Sequence, residues 1–171
     1  MEKEFEFTEK QKFTQWWIWV ILLGINGIFF SGLIKQLIFG QKFGNNPMSN
    51  AGLVLFALGF LAFTFLFFVM GLYTKIDNQG IYFRFLPFDT AFKFYPWEKI
   101  ASIHICEYKA LKEYGGWGIR GGRNVMAYTV TGNKGFVIEL SNNKKILIGT
   151  RKPEEVMQAL QKLAPSSTHL D

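Results

Sequence analysis

Gly116, Gly118 and Gly121 stand in the spacing G-x-G-x-x-G inside EYGGWGIRGGRNVMAY, residues Glu113 to Tyr128. That spacing lets a backbone approach a dinucleotide pyrophosphate, provided that a strand precedes it and a helix opens on it to offer free amides and a dipole. A strand-forming run does precede it. The next run, Val125 to Thr131, is β-branched and aromatic in strand rhythm, and Gly122 and Asn124 oppose a helix start. The nucleotide reading therefore fails, and no cofactor is expected.

Other chemistry is sparse. The two histidines are His104 and His169, and the single cysteine is Cys106. His104 and Cys106 share one face of a strand, which makes them neighbours without making them a nucleophile and base. Zinc needs three or four ligands; only these two converge, and Glu107 faces the other way. Glu154 and Glu155 fall in a helix's first turn, where the dipole accounts for them, and Asp77 and Asp89 fall in turns. No G-x-x-x-x-G-K-[ST], H-E-x-x-H or G-x-S-x-G occurs. The expectation is no catalytic residue, no metal and no enzyme.

The glycine-rich stretch has another chemistry. Lys109, Lys112, Arg120 and Arg123 surround Trp117, which Gly116 and Gly118 frame. Flexible glycines can present an indole to the lipid interface while basic side chains approach anionic head groups. Alternatively, the glycines permit positive φ in a bend, and Trp117 covers the mouth of its own fold. These five residues are the candidate lipid or partner contacts.

The elements that must position them begin with two apolar runs. Trp16 to Ile34 and Ala51 to Tyr73 contain no charge over 19 and 23 residues. As helices they measure about 28 and 34 Å, against a hydrocarbon core of about 30 Å. Neither shows the polar stripe of a helix buried in a soluble core. The first is also longer than a signal-peptide core, and Lys35, Gln36 and Leu37 do not form a small-residue cleavage site. Trp16, Trp17 and Trp19 at the start of the first span and Tyr73 at the end of the second are expected interface anchors on one side of the membrane. Lys3, Lys10 and Lys12 precede the first span and Lys75, Arg84 and Lys93 come after the second, while only Lys35 and Lys42 lie between. The positive-inside rule then places both termini in the cytoplasm.

Within this hairpin, Gly24, Gly27 and Ser31 on one helix, and Gly59 and Ala62 on the other, are spaced for close helix contact. Asn26 is the one strongly polar side chain in a span, and its amide is expected to bond to the neighbouring helix or to a partner subunit. Without a charged residue in either span, an ion or proton pathway is not expected. The net charge is +6, and the segment from Thr74 onward carries 14 Lys or Arg against 9 Asp or Glu. A mild positive excess suits a domain beneath an anionic leaflet, whereas nucleic acid would require a denser patch. One cysteine is compatible with a reducing compartment.

The organisation expected is a cytoplasmic segment over residues 1–15, of which Met1 to Thr8 frays, a transmembrane hairpin over 16–73, a soluble domain over 74–164 and a tail over 165–171. From Leu72 onward short β-rich runs alternate with turn residues. They fall at Leu72–Ile76, Ile81–Phe85, Ala91–Tyr95, Lys99–Tyr108, Val125–Thr131, Gly135–Leu140 and Lys145–Gly149. In the fourth, Ala101, Ile103 and Ile105 are expected on one face. Gly132-Asn133 and Asn142-Asn143 read as tight antiparallel turns. A terminal helix opens at Pro153, with Val156, Leu160 and Leu163 as its apolar stripe. The fold class is thus a membrane α-helical hairpin plus a mainly β, α+β domain: seven antiparallel strands in a barrel or sandwich, with a C-terminal helix covering one end.

The segment YPWEKIASI, the ending KKILIGTRKPEEVMQALQKL and the order of elements resemble bacterial membrane proteins that carry a pleckstrin-homology-like (PH-like) domain after a transmembrane hairpin. The resemblance covers roughly Leu72 to Leu163. It implies two nearly orthogonal antiparallel sheets capped by the helix, and a binding or scaffolding role at the inner membrane. In lipid-binding members of the wider superfamily, basic residues around the first hairpin grip phosphates. Here that turn is Asp77-Asn78-Gln79-Gly80, with only Lys75 and Arg84 beside it, so specific inositol-phosphate binding is not expected.

The leading expectation is a non-enzymatic membrane protein whose cytoplasmic PH-like domain binds a protein partner or a second copy of itself. The alternatives are an anionic lipid or small-ligand sensor using the 109–123 loop, and an accessory subunit of a membrane enzyme or transporter.

Overall fold

The computed structural model describes residues 6–122, 124–166 and 168–170. The chain divides into two compact units, residues 14–69 and the remainder on both sides of that segment.

In the first unit, α1 (Trp16–Leu33) continues through a π-helical turn, Ile34–Ile38, and α2 spans Asn50–Val69. Both helices are long and apolar enough to cross a bilayer, and only 11% of either stretch is buried. Leu23, Phe30 and Leu55 are 62%, 65% and 70% exposed, unlike the side chains of a soluble core helix. Ser49 Oγ accepts from the Gly52 amide as α2 starts, at 3.1 Å. The expected second span ended at Tyr73, but the helix stops at Val69 and Tyr73 belongs to a strand.

Asn26 joins the two helices as expected of its amide: Nδ2 donates to Thr64 Oγ1 at 2.7 Å and to the Leu22 carbonyl at 2.8 Å. Thr64 in turn donates to the Phe60 carbonyl at 2.9 Å, and the Phe29 and Phe60 rings lie 5.9 Å apart. The glycine faces do not make this contact. A Cβ at Gly24, Gly27 or Gly59 would meet nothing within 4 Å. An unsatisfied amide in hydrocarbon is costlier than imperfect packing, so the Asn26 side of α1 faces α2.

The second unit contains two sheets, which do not close into a barrel. One has the antiparallel order β1-β2-β3-β4, with β1 Phe7–Lys12, β2 Gly71–Asp77, β3 Gly80–Leu86 and β4 Lys93–Pro96. The other comprises β5 (Ile100–Glu107), β6 (Gly118–Gly121), β7 (Val125–Thr129), β8 (Lys134–Leu140), β9 (Lys145–Gly149) and β10 (His169–Leu170), in the order β10-β5-β8-β9-β7-β6. Between β5 and β6 lies a short helix, α3 (Ala110–Tyr114). Helix α4, Pro153–Leu163, packs on β1, β2 and β8 through the buried Val156, Ala159 and Leu160. Leu72, Ile76, Ile81, Phe83 and Phe85 of the first sheet share the core with Ile103, Phe136, Ile138, Ile146 and Ile148 of the second. Each such side chain stabilises by about 1.5–3 kcal/mol on burial.

Several expectations change. Phe7 and Thr8, expected to fray, belong to the strand Phe7–Lys12, and Met1 to Phe5 lie outside the described residues; the folded unit thus includes chain before the first apolar helix as well as after the second. The unit takes up the chain again at Met70. The inward row of β1 is Phe7, Glu9 and Gln11, and its two polar members made the segment look solvated. Both make hydrogen bonds: Thr150 Oγ1 and the Arg151 amide donate to the Glu9 carboxylate at 2.6 and 2.9 Å, and Gln11 Nε2 donates to the Gly149 carbonyl at 2.6 Å, while Gln11 Oε1 has no partner among the described residues. Ten strands are present among the described residues instead of seven. They are not all antiparallel, because β7 pairs with β9 and β10 with β5 in parallel. The Gly132-Asn133 turn therefore does not join paired neighbours. β9 takes the place between β7 and β8 because Ile146, Leu147 and Ile148 are apolar on both faces and need cover on both sides. In β5, a bulge between Ile100 and Ser102 breaks the expected alternation, leaving Ala101 exposed while Ile100 and Ile103 are buried.

Candidate functional site

The expected long loop between the fourth and fifth strands is ordered structure. At the start of α3 the Lys109 amide donates to Glu113 Oε1 at 3.2 Å. Gly115 ends the helix in the left-handed region at φ 70°, which a residue with a Cβ adopts only at a cost. The chain then runs into β6, which pairs with β7 in an antiparallel hairpin. Gly121 has φ 125°, and a Cβ there would collide with the Val125 carbonyl oxygen. Among the described residues no helix opens on the glycines, so their spacing is that of a helix end and a hairpin.

This segment folds over the outer face of the second sheet. Tyr108, Ala110, Ala127 and Leu147 form a buried cluster, with Cys106, Tyr114, Trp117 and Val137 packed against it. Trp117 is half-buried, and its Nε1 donates to the Gly132 carbonyl at 3.2 Å. The Tyr108 amide donates to the Asn133 carbonyl at 2.7 Å. Beside this lid lies a cleft of about 330 Å³, lined by Lys109, Leu111, Lys112, Glu113, Trp117 and Asn133 among others. Leu111 is 68% exposed at its edge. Glu107 and Glu113 face the cleft with Lys109 and Lys112, so its charges balance.

Of the candidate contacts, the fold gathers Lys109, Lys112 and Trp117 at this cleft. Arg120 is exposed on β6, its guanidinium passing near Gly116, and does not line it. Arg123 lies outside the described residues. Burial, and secondarily the Glu113 charge, push the Cys106 thiol up from its ordinary range, which disfavours a nucleophilic thiolate. Among the described residues, no group of three or more His, Cys, Asp or Glu side chains is placed to hold a metal.

Trp16 and Trp17 are 75% and 43% exposed at the start of α1, and Trp19 sits edge-on to Phe68 at 6.5 Å. Tyr73 is instead part of a second constellation, on the outer face of the first sheet. In register it lies between Lys10 of β1 and Arg84 of β3. The Lys10 ammonium stands 5.2 Å from its ring centre and the Arg84 guanidinium 5.0 Å. Arg84 also lies 4.5 Å, and Lys75 5.1 Å, from the Phe92 ring centre. The next row pairs Lys75 with Thr8 and Tyr82, and Tyr82 stacks on Phe94 at 4.4 Å. Sequence reasoning missed this face because its first row belongs to β1. The alternation of Thr8, Lys10 and Lys12 against Phe7, Glu9 and Gln11 was the available signal.

A protein-family model described as a family of unknown function (DUF6141) matches residues 2–167. No curated protein and no solved structure matches the chain.

Proposed function

The chain belongs to the DUF6141 family, and from that footing we propose that it is a non-enzymatic integral protein of the bacterial inner membrane that presents a PH-like cytoplasmic domain to a protein partner. The observation that carries this reading is the cleft beneath α3. An apolar floor of Trp117 and Tyr108, an exposed leucine at the rim and lysines balanced by glutamates suit a peptide segment with an apolar anchor and charges of both signs. An anionic lipid head group would favour a cluster of one sign, so the balance weighs against lipid at this cleft.

Two features support the membrane topology. The helices have the length and apolar surface to span a bilayer. Lys12 pairs with Gly71 across the ladder from β1 to β2, so the chain entering the helical segment and the chain leaving it are hydrogen-bonded neighbours. Two spans would return the chain to the side it left, in keeping with that pairing. Charge bias then assigns that side to the cytoplasm. The PH-like assignment is supported by the two sheets and the amphipathic helix α4 near the C-terminus, which packs on them.

A photocrosslinker at Leu111 of the full-length chain in native membranes tests the partner. A discrete protein adduct that disappears with Trp117→Ala is expected; adducts to lipid alone would refute the reading. Reporters at both termini test the topology, and activity on opposite sides of the membrane would overturn it.

A further inference from the structure

The outer face of the sheet β1-β2-β3-β4 has chemistry that the cleft lacks. Lys10, Lys12, Lys75 and Arg84 project from three adjacent strands, interleaved with Tyr73 and Phe92. Arg84 makes no ion pair and no side-chain hydrogen bond among the described residues, and its Nε is shielded from solvent. The Tyr73 and Phe92 rings hold Lys10 and Arg84 by their π faces, which fixes the side chains but does not neutralise them. Among the described residues, the carboxylate nearest the other end of the β1 row, Glu6, is engaged by Lys162 at 2.9 Å.

We propose that this face docks on the anionic phosphate head groups of the bilayer in which the chain's own helices are embedded. The proposal rests on the membrane-spanning reading of α1 and α2, and it is independent of the cleft. Charge complementarity selects the occupant: cations on one face meet a leaflet of negative surface potential. Tyrosine and phenylalanine between them suit the depth of the head groups, where amphipathic and apolar rings partition favourably. Chain length points the same way, because only Phe13, Thr14 and Gln15 separate Lys12 from α1, a tether of about 10 Å when extended. A face held this close meets the head groups at high effective concentration and needs only weak individual contacts.

The test uses the full-length chain in vesicles of phosphatidylcholine, with and without phosphatidylglycerol. A fluorophore on Phe94→Cys, in a Cys106→Ala background, reports docking through quenching by a head-group-labelled lipid. Quenching should be stronger in the anionic vesicles and weaken in high salt, which screens surface charge. The variant Lys10→Gln/Lys75→Gln/Arg84→Gln should lower the docked-to-undocked ratio by on the order of a hundredfold, from about 1 kcal/mol per basic residue near the surface. The same charge change at exposed lysines outside both the sheet face and the cleft, Lys99→Gln/Lys134→Gln/Lys144→Gln, should leave it nearly unchanged. A thermal melt matching that of the unmodified chain excludes unfolding of the variants; if the first triple unfolds, Lys10→Gln alone, at an exposed position, should still show about a fivefold loss. Equal quenching in neutral and anionic vesicles, or equal loss in the two triples, would overturn the proposal. Loss of the Leu111 adduct with docking intact would bear on the cleft alone.

Discussion

The Thr150 hydroxyl donates a 2.6 Å hydrogen bond to the Glu9 carboxylate, joining residues 141 positions apart. This bond and its companion from the Arg151 amide fasten the strand before the first apolar helix to the turn that leads into α4. The folded unit is thereby closed around an insertion of 56 residues, Thr14–Val69.

Removing that acceptor should be expensive. Glu9→Ala leaves a buried hydroxyl and a part-buried amide without their partner, and bonds to charged groups contribute about 1.5–3 kcal/mol. A loss of about 2–3 kcal/mol is expected in urea unfolding of the detergent-solubilised chain, monitored by near-ultraviolet circular dichroism. Glu9→Gln keeps one acceptor oxygen and should lose less; equal losses would show that the hydrogen bonds do not matter.

In the helical unit, Asn26 and Thr64 should be energetically coupled. A double-mutant cycle with Asn26→Leu and Thr64→Val, measured by unfolding in mixed micelles, should give about 0.6–1.7 kcal/mol. A coupling near zero would mean that the amide finds another acceptor.

The lid over the second sheet predicts an alkaline signature. Burial, and after it the neighbouring Cys106, pushes the Tyr108 phenol up to about 12 from 10.0. The folded chain thus holds this proton more tightly than the unfolded chain does. The associated stability is complete below about pH 10 and is lost as pH rises through about 12. Melting temperatures should fall across that window, and Tyr108→Phe should flatten the decline. An unchanged slope in the variant would place the titration elsewhere.

Gly121 and Gly122 differ in what surrounds them. Gly121→Ala forces a Cβ into the Val125 carbonyl at φ 125° and should cost about 1–3 kcal/mol. Gly122→Ala meets open space and should stay within about 0.5 kcal/mol of the original chain. Similar melting temperatures for both would show that the β6–β7 hairpin is not a stable part of the fold.

Local pattern was enough to reveal the two apolar helices, the Asp77–Gly80 turn, most strands and the terminal helix, because hydropathy over a dozen residues and turn chemistry are properties of neighbouring positions. The Asn26 contact was legible for the same reason, since a lone amide in an apolar run has few other places to bond. Pairing over long distances was not legible. Glu9 and Gln11 read as solvated until β9 and the loop after it supplied their partners, and β1 was hidden with them. β7 found β9 instead of β8 because an apolar strand needs cover on both faces, a requirement satisfied only in the assembled sheet. The glycine motif and Tyr73 changed meaning through the same cause. A glycine's spacing does not say whether a helix or a hairpin comes next, and a tyrosine at the end of an apolar run does not say that the helix has already stopped. Only the ladder of β1, β2 and β3 brought Lys10 and Arg84 to opposite sides of its ring.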